Sequence, residues 1–221
     1  MMMPTQSAGA GRFADFDLSR VPSPCFVIDE VKLAENLGIL KSLGAAANAN
    51  ILLALKAFSM WELAPLISAH LDGCCASGLW EAKLAHDRFG GQVGTYAPAF
   101  KPTEIDEIAR VSSHVIVNTP QQAARFGAQI SAGNAELGLR VNPMHSEGEV
   151  ANMTLARPGR GWVHPCISLK TNCRKRFRAC IFIHYANRIF RPWRARSTHC
   201  TRFWRRWPRN CAGSISAADI W

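Results

Sequence analysis

Apolar positions in the first 151 residues switch between unbroken runs and helical repeats, and the switches outline the elements. Cys25-Phe26-Val27-Ile28 is a short apolar run ended by Asp29, a good helix N-cap, after which Val31, Ala34, Leu37 and Leu40 recur at helical spacing. Ile51-Leu52-Leu53-Ala54-Leu55 has no polar interruption, as befits a strand buried on both faces. Ser59 and Glu62 have capping-box spacing and predict a helix running toward Ala69. Beyond it the pattern predicts strands over 71–75, 93–96, 114–118 and 137–142. Helices are predicted over 79–86, from about Thr103 (with Ile105, Ile108 and Ala109 inward) and from Pro120. Strand starts recur every 20 to 25 residues or so, the period of βα units feeding a parallel sheet. The expected fold class is therefore α/β, either a (β/α) barrel or a doubly wound sheet.

After Ala151 this order fades. Arg174-Lys175-Arg176-Phe177-Arg178 and Arg202-Phe203-Trp204-Arg205-Arg206-Trp207 hold neither period for long. The charge divides at the same place: residues 1–151 carry 11 Lys and Arg against 15 Asp and Glu, whereas residues 152–221 carry 15 against one, Asp219. The formal charge of +10 thus belongs to the second segment, which also holds five of the seven Trp and five of the eight Cys. At 48% hydrophobic content the chain can build a core, so wholesale disorder is excluded. No apolar run nears the roughly 18 residues of a membrane span, and residues 1–13 lack an early basic residue and an apolar core. A soluble, cytoplasmic protein is expected.

Candidate chemistry is sparse. No Walker or G-x-G-x-x-G motif follows any strand, and Gly90-Gly91 lies between a helix and a strand, where it ends the helix. Cys166, Cys173, Cys180 and His184 contain no C-x-x-C pair and match no common zinc module, so no metal is expected; a reducing compartment gives a disulfide framework no support either. Arg interleaved with Trp in the last segment has the make-up of a nucleic-acid or anionic-membrane binder. Lys56 stands apart because it closes the run Ile51 to Leu55. In a barrel that position is the C-terminal mouth, where such folds keep their active sites, and a neutral lysine amine there can form a Schiff base with a carbonyl. Taken alone, a lysine at a strand end can equally be one that reaches out to water.

The residues around Lys56 separate these readings. Ala54-Leu55-Lys56-Ala57-Phe58-Ser59-x-Trp61 resembles the cofactor-lysine segment of carboxynorspermidine/carboxyspermidine decarboxylases, alanine-racemase-like (fold type III) enzymes that use pyridoxal 5'-phosphate. The resemblance extends through Pro24-Cys25-Phe26-Val27-Ile28-Asp29, Leu71-Asp72-Gly73-x-x-Ala76-Ser77-Gly78-Leu79-Trp80-Glu81-Ala82 and Thr95-Tyr96-Ala97-Pro98-Ala99. It ends with Gly138-Leu139-Arg140-Val141-Asn142-Pro143 and His145-Ser146-Glu147, covering about residues 20 to 151. It implies a pyridoxal-phosphate-binding (β/α)8 barrel, of which residues 21–151 would be the N-terminal part behind an extension over 1–20. It also implies a homodimer for the full-length enzyme and a polyamine substrate. Lys56 would bond covalently to the cofactor, and Ser77, Glu81 and Arg140 would lie near it at strand ends. Without the resemblance, Ser77 reads as a helix N-cap, Glu81 as a solvated helix acid and Arg140 as a surface charge. The implied reaction is decarboxylation of carboxynorspermidine or carboxyspermidine to norspermidine or spermidine, a step of polyamine biosynthesis.

Back-translation accounts for the last segment. Read from the third base of each codon, residues 152–165 yield Y-D-P-C-A-P-G-S-R-L-G-A-S, residues 178–190 can yield G-L-H-F-H-T-L-C-E-Q-D-F, and residues 211–221 can yield R-W-I-N-L-G-G-G-H-L. All three strings come from one frame and resemble, in order, what the same family carries next. There, the H-F-H-T segment supplies a histidine beside the cofactor ring, and the L-G-G-G-H turn brings backbone amides to the phosphate. Residues 152–221 therefore read as an out-of-frame, poorly ordered basic tail. A chain lacking that histidine, the phosphate loop and the β domain is expected to have little or no activity. The coding DNA tests this: adding or removing one base near the Ala151 codon should open a frame running through L-G-G-G-H into a further β domain. A stop codon soon after the repaired junction would count against a frameshift.

Overall fold

The structure, a computed structural model, describes residues 17–142, 164–165, 179–182 and 214–216. Asp29 opens the first helix, α1 (Glu30–Ala47), by accepting a hydrogen bond from the Lys32 amide, and Asn48 closes it in the left-handed conformation. Strand β1 (Asn50–Ala54) follows, then a short 3-10 turn (Trp61–Leu63), α2 (Ala64–Ser68), β2 (Gly73–Ala76) and α3 (Leu79–Leu84). The chain continues through β3 (Gln92–Tyr96), α4 (Ile105–Val111), β4 (His114–Val117), α5 (Pro120–Ala132) and β5 (Glu136–Asn142). Thr119 caps α5 through its hydroxyl, with Pro120 in the first turn, where its missing N–H costs nothing.

All the strand pairs are parallel, and β1 to β5 lie side by side in chain order. A doubly wound sheet reverses direction at a switch point, which this run does not; the winding is that of a (β/α) barrel. Helices cover one face. Ile51, Leu55, Cys74 and Val93 pack beneath α1, α2 and α3 with Leu37, Ile67 and Ala82. Val115, Val117, Leu137 and Leu139 pack beneath α4 and α5 with Ile105, Ile108, Phe126 and Ile130. The alternate residues turn to the other, inner face: a Cβ at Gly94 would lie 3.7 Å from Leu52 Cδ1 and 3.9 Å from Cys75 Sγ.

Several expectations are corrected. Cys25 to Ile28 forms no strand; it has no ladder partner and Phe26 is 97% exposed. The helix expected from Ser59 starts later, as a 3-10 turn after Met60, and the α-helix begins only at Ala64. The reason is Pro65, which has no N–H for an interior helical bond and so takes the first turn. The helix expected over 79–86 is α3 extended by a π-turn (Ala85–Phe89) that ends at Gly90, φ 68°. The basic tail is not wholly irregular: β6 (His164–Pro165) and β7 (Ala179–Phe182) pair with β5, and β8 (Ser214–Ser216) pairs with β1. Strand edges present unpaired N–H and C=O groups, and short extended stretches satisfy them. Among the described residues no helix is long and apolar enough to cross a membrane.

Two glycines give opposite predictions. Gly73 has φ +155°, and a Cβ there would fall 1.9 Å from the Gln92 carbonyl oxygen, whereas a Cβ at Gly38, in α1, meets nothing within 4 Å. Gly73→Ala should lower the stability read by urea denaturation by more than about 2 kcal/mol. Gly38→Ala should raise it by roughly 0.5–1 kcal/mol, because alanine has less backbone freedom to lose in a helix.

Candidate active site

The winding brings the C-terminal ends of β1 to β5 to one edge, and each sequence-selected residue sits there. Lys56 lies just past β1: the Leu55 amide adds one more ladder bond to the Cys75 carbonyl (3.1 Å), and the Ala57 and Phe58 amides then turn back onto the Ala54 carbonyl (3.0 and 3.2 Å). Its side chain is exposed and makes no hydrogen bond or ion pair among the described residues. A shielded amine, as at the mouth of a closed barrel, is therefore not what this chain shows, because no described element covers the turn.

Ser77 is the first residue after β2 and is exposed. It is not the cap of α3: Gly78 holds that position, with no side-chain cap bond. Glu81 takes over the task, its carboxylate accepting a 2.7 Å hydrogen bond from the Ser77 backbone amide. The half-buried Glu81 is thus a bonded acid rather than a solvated one, and its negative charge sits favourably in the first turn of α3.

Arg140 is no surface charge. It is 4% exposed on β5, and its Nη1 donates to the Tyr96 hydroxyl at the end of β3. The guanidinium lies over the Tyr96 ring, 4.7 Å from Cζ to centroid. The Tyr96 hydroxyl in turn donates to Asn118 Oδ1 (3.2 Å), just past β4. The Asn118 amide donates to Gln122 Oε1 (2.7 Å), and Gln122 Nε2 donates to the Pro98 carbonyl (2.8 Å), tying the loops after β3 and β4 together. Arg140 Nε is buried with no partner, and among the described residues no carboxylate pairs with the guanidinium. A buried cation left in this state is completed most favourably by an anionic oxygen.

Sequence reasoning assigned no role to Tyr96 or Asn118. The available signal was positional, since each is the polar residue at the C-terminal end of an apolar strand, the same signal that singled out Lys56. On β2 the Cys74 thiol is pushed up to about 12 by burial and by the neighbouring Cys75, so it supplies no thiolate at neutral pH. Among the described residues no three His, Cys, Asp or Glu side chains come together as a metal site. Pro143, His145, Ser146, Glu147, Cys166, Cys173 and His184 lie outside the described residues.

Helix-backed parallel strands with polar residues gathered at their C-terminal ends define an α/β barrel enzyme scaffold. No protein-family model matches the chain. Its relatives are decarboxylases. It is 39% identical over 129 residues to the carboxyaminopropylagmatine decarboxylase of Synechocystis sp., covering 58% of this chain and 33% of that protein. It is 38% identical over 123 residues to a carboxynorspermidine/carboxyspermidine decarboxylase of Campylobacter jejuni, covering 56% and 32%. The crystal structure of carboxynorspermidine decarboxylase from Campylobacter jejuni, complexed with norspermidine, matches with a TM-score of 0.55 and 37% identity over 59% of this chain and 35% of that one. The resemblance read from the segments around Lys56 is thus met by curated relatives and by a solved fold. The chain spans about a third of the length of the relatives it matches.

The raised Cys74 thiol carries a pH prediction. A group held protonated in the fold contributes stability below its ordinary value of 9.0, and that contribution is lost as pH rises toward about 12. The urea midpoint should therefore fall between pH 8 and pH 10.5, and Cys74→Ala should flatten part of that fall. An equal slope in the variant would show that the loss arises elsewhere.

Proposed function

We propose that residues 21–151 are the N-terminal part of a pyridoxal-phosphate-binding (β/α) barrel from an enzyme that decarboxylates carboxynorspermidine or carboxyspermidine to norspermidine or spermidine. Residues 152–221, on the same proposal, are translated out of frame, and the chain as it stands has little or no activity. The observation that carries the reading is the buried guanidinium of Arg140, paired with no carboxylate among the described residues, at the same strand-end edge as Lys56. An aldehyde cofactor with anionic oxygens suits both: an accessible amine to bond to, and a desolvated cation with a spare donor.

Pyridoxal phosphate, when bound, supplies an electron-withdrawing ring that accommodates the electron pair left as carbon dioxide departs. The chain's own residues would do the rest. Lys56 would hold the cofactor through its amine and be freed when the substrate amine takes its place. Arg140 would offset negative charge on an anionic oxygen, its cost of burial already met in part by Tyr96. Glu81 keeps the Ser77 amide fixed at the end of β2, so Ser77 would stand beside the cofactor on a set backbone. The norspermidine in the Campylobacter jejuni structure supports a polyamine as the small-molecule substrate class. A homodimer and a cytoplasmic location belong to the same proposal. A binding role for the Arg- and Trp-rich tail has no supporting observation.

The purified chain mixed with pyridoxal phosphate should turn yellow, and borohydride should fix the cofactor on Lys56, as located by peptide mass spectrometry. Carbon dioxide release from carboxynorspermidine should stay at background and appear once the frame is repaired. A Lys56→Ala variant that still held the cofactor covalently would sink the assignment.

A further inference from the structure

Three strand ends converge on one aromatic residue. Tyr96 ends β3, Asn118 follows β4 and Arg140 lies on β5, and the Tyr96 hydroxyl is the only atom among the described residues that hydrogen-bonds to both other side chains. The roles in this chain are unambiguous. A guanidinium can only donate, so Tyr96 accepts from Arg140 Nη1 and spends its own proton on Asn118 Oδ1. Asn118 is held by its neighbours as well, since its backbone amide is bonded to Gln122, itself bonded to Pro98. The Tyr96 ring covers the guanidinium face, which restricts the plane of the group as well as one of its corners. What remains unused is the Nε edge, buried and without a partner.

We propose that Tyr96, backed by Asn118, is a positioning residue: it fixes the plane of the Arg140 guanidinium so that its spare donor edge meets an anionic oxygen of the bound cofactor. This inference rests on the reading of the strand-end edge as a pyridoxal-phosphate site. Phenylalanine at 96 would keep the ring under the guanidinium and remove the atom that orients it. A donor with a free choice of plane loses part of its directional advantage, so binding weakens without Arg140 itself being lost.

The test is a double-mutant cycle on the full chain, read by pyridoxal-phosphate affinity and by visible circular dichroism per cofactor fixed on Lys56. The cofactor is achiral, so its dichroism reports how firmly asymmetric surroundings hold it. Tyr96→Phe should weaken cofactor binding roughly 3- to 10-fold, as expected for one hydrogen bond to a charged group, and lower the dichroism per fixed cofactor. Arg140→Met should do both more strongly, and Tyr96→Phe should add nothing in the Arg140→Met background. A merely structural role for Tyr96 would reduce the folded fraction but leave the dichroism per fixed cofactor unchanged, and its effects would add to those of Arg140→Met; either result overturns the proposal. If the unmodified chain fixes no cofactor on Lys56, the proposed function falls and takes this inference with it. If it does, and Tyr96→Phe changes nothing, this inference alone is overturned.

Discussion

The interaction on which the strand-end edge depends is the burial of one guanidinium within a parallel sheet. Removing a cation from water costs several kcal/mol even after relaxation, and a carboxylate within reach is the usual compensation. Among the described residues Arg140 has instead a phenol, an aromatic face and an unused donor. That arrangement is tolerable because the charge is spread over a planar group that stacks well and is weakly hydrated for a cation. On the same inner face a Cβ at Gly94 would already stand in van der Waals contact with Leu52 and Cys75. Alternate residues of the strands pack under the helices on one face, while the inner face combines buried Leu52 and Ile116 with the network of Tyr96, Asn118 and Arg140.

That alternation decides what could be read from the sequence. The run Ile51 to Leu55 announces a strand because both faces of β1 are covered, and α5 announces itself through Thr119, Pro120 and the inward Ala123, Phe126 and Ile130. The order of the strands was not legible, since periodicity carries no information on which neighbour a strand takes; barrel and doubly wound sheets share the same local pattern. Ser59 and Glu62 misled because a two-residue signal ignored Pro65 three positions on. Cys25 to Ile28 misled because an apolar run records a preference for burial and not the presence of a partner. Arg140 was legible only through the family resemblance. Its burial contradicts its residue type, and the compensating contacts come from Tyr96 and Asn118, 44 and 22 positions away from Arg140 and from Tyr96 respectively.

The tail presents the converse case, in which structure alone is a poor guide to origin. β7 and β8 take up the two outer edges of the β1-to-β5 run. Backbone pairing is largely blind to side chains, however: an open edge of N–H and C=O groups accepts any extended stretch free of proline at the bonded positions. Ala179-Cys180-Ile181-Phe182 and Ser214-Ile215-Ser216 meet that minimal requirement. Their pairing is therefore as expected of an out-of-phase translation as of a selected one. The charge is more discriminating, because 15 basic residues against one acid do not continue the mildly acidic composition of the preceding 151.

Barrel geometry sharpens the point. Five parallel strands in chain order span only part of a circle, and the strands that close an eight-stranded barrel must run from β5 round to β1. Those are the two edges that the tail stretches occupy, with two to four residues each. A strand of that length satisfies only a few backbone groups of the edge it joins. Lys56, exposed just past β1, and Arg140, buried on β5, flank that gap. Among the described residues, the side-chain contacts that join Tyr96, Asn118 and Arg140 are all made within the neighbouring strands β3 to β5, and none of them reaches across that gap.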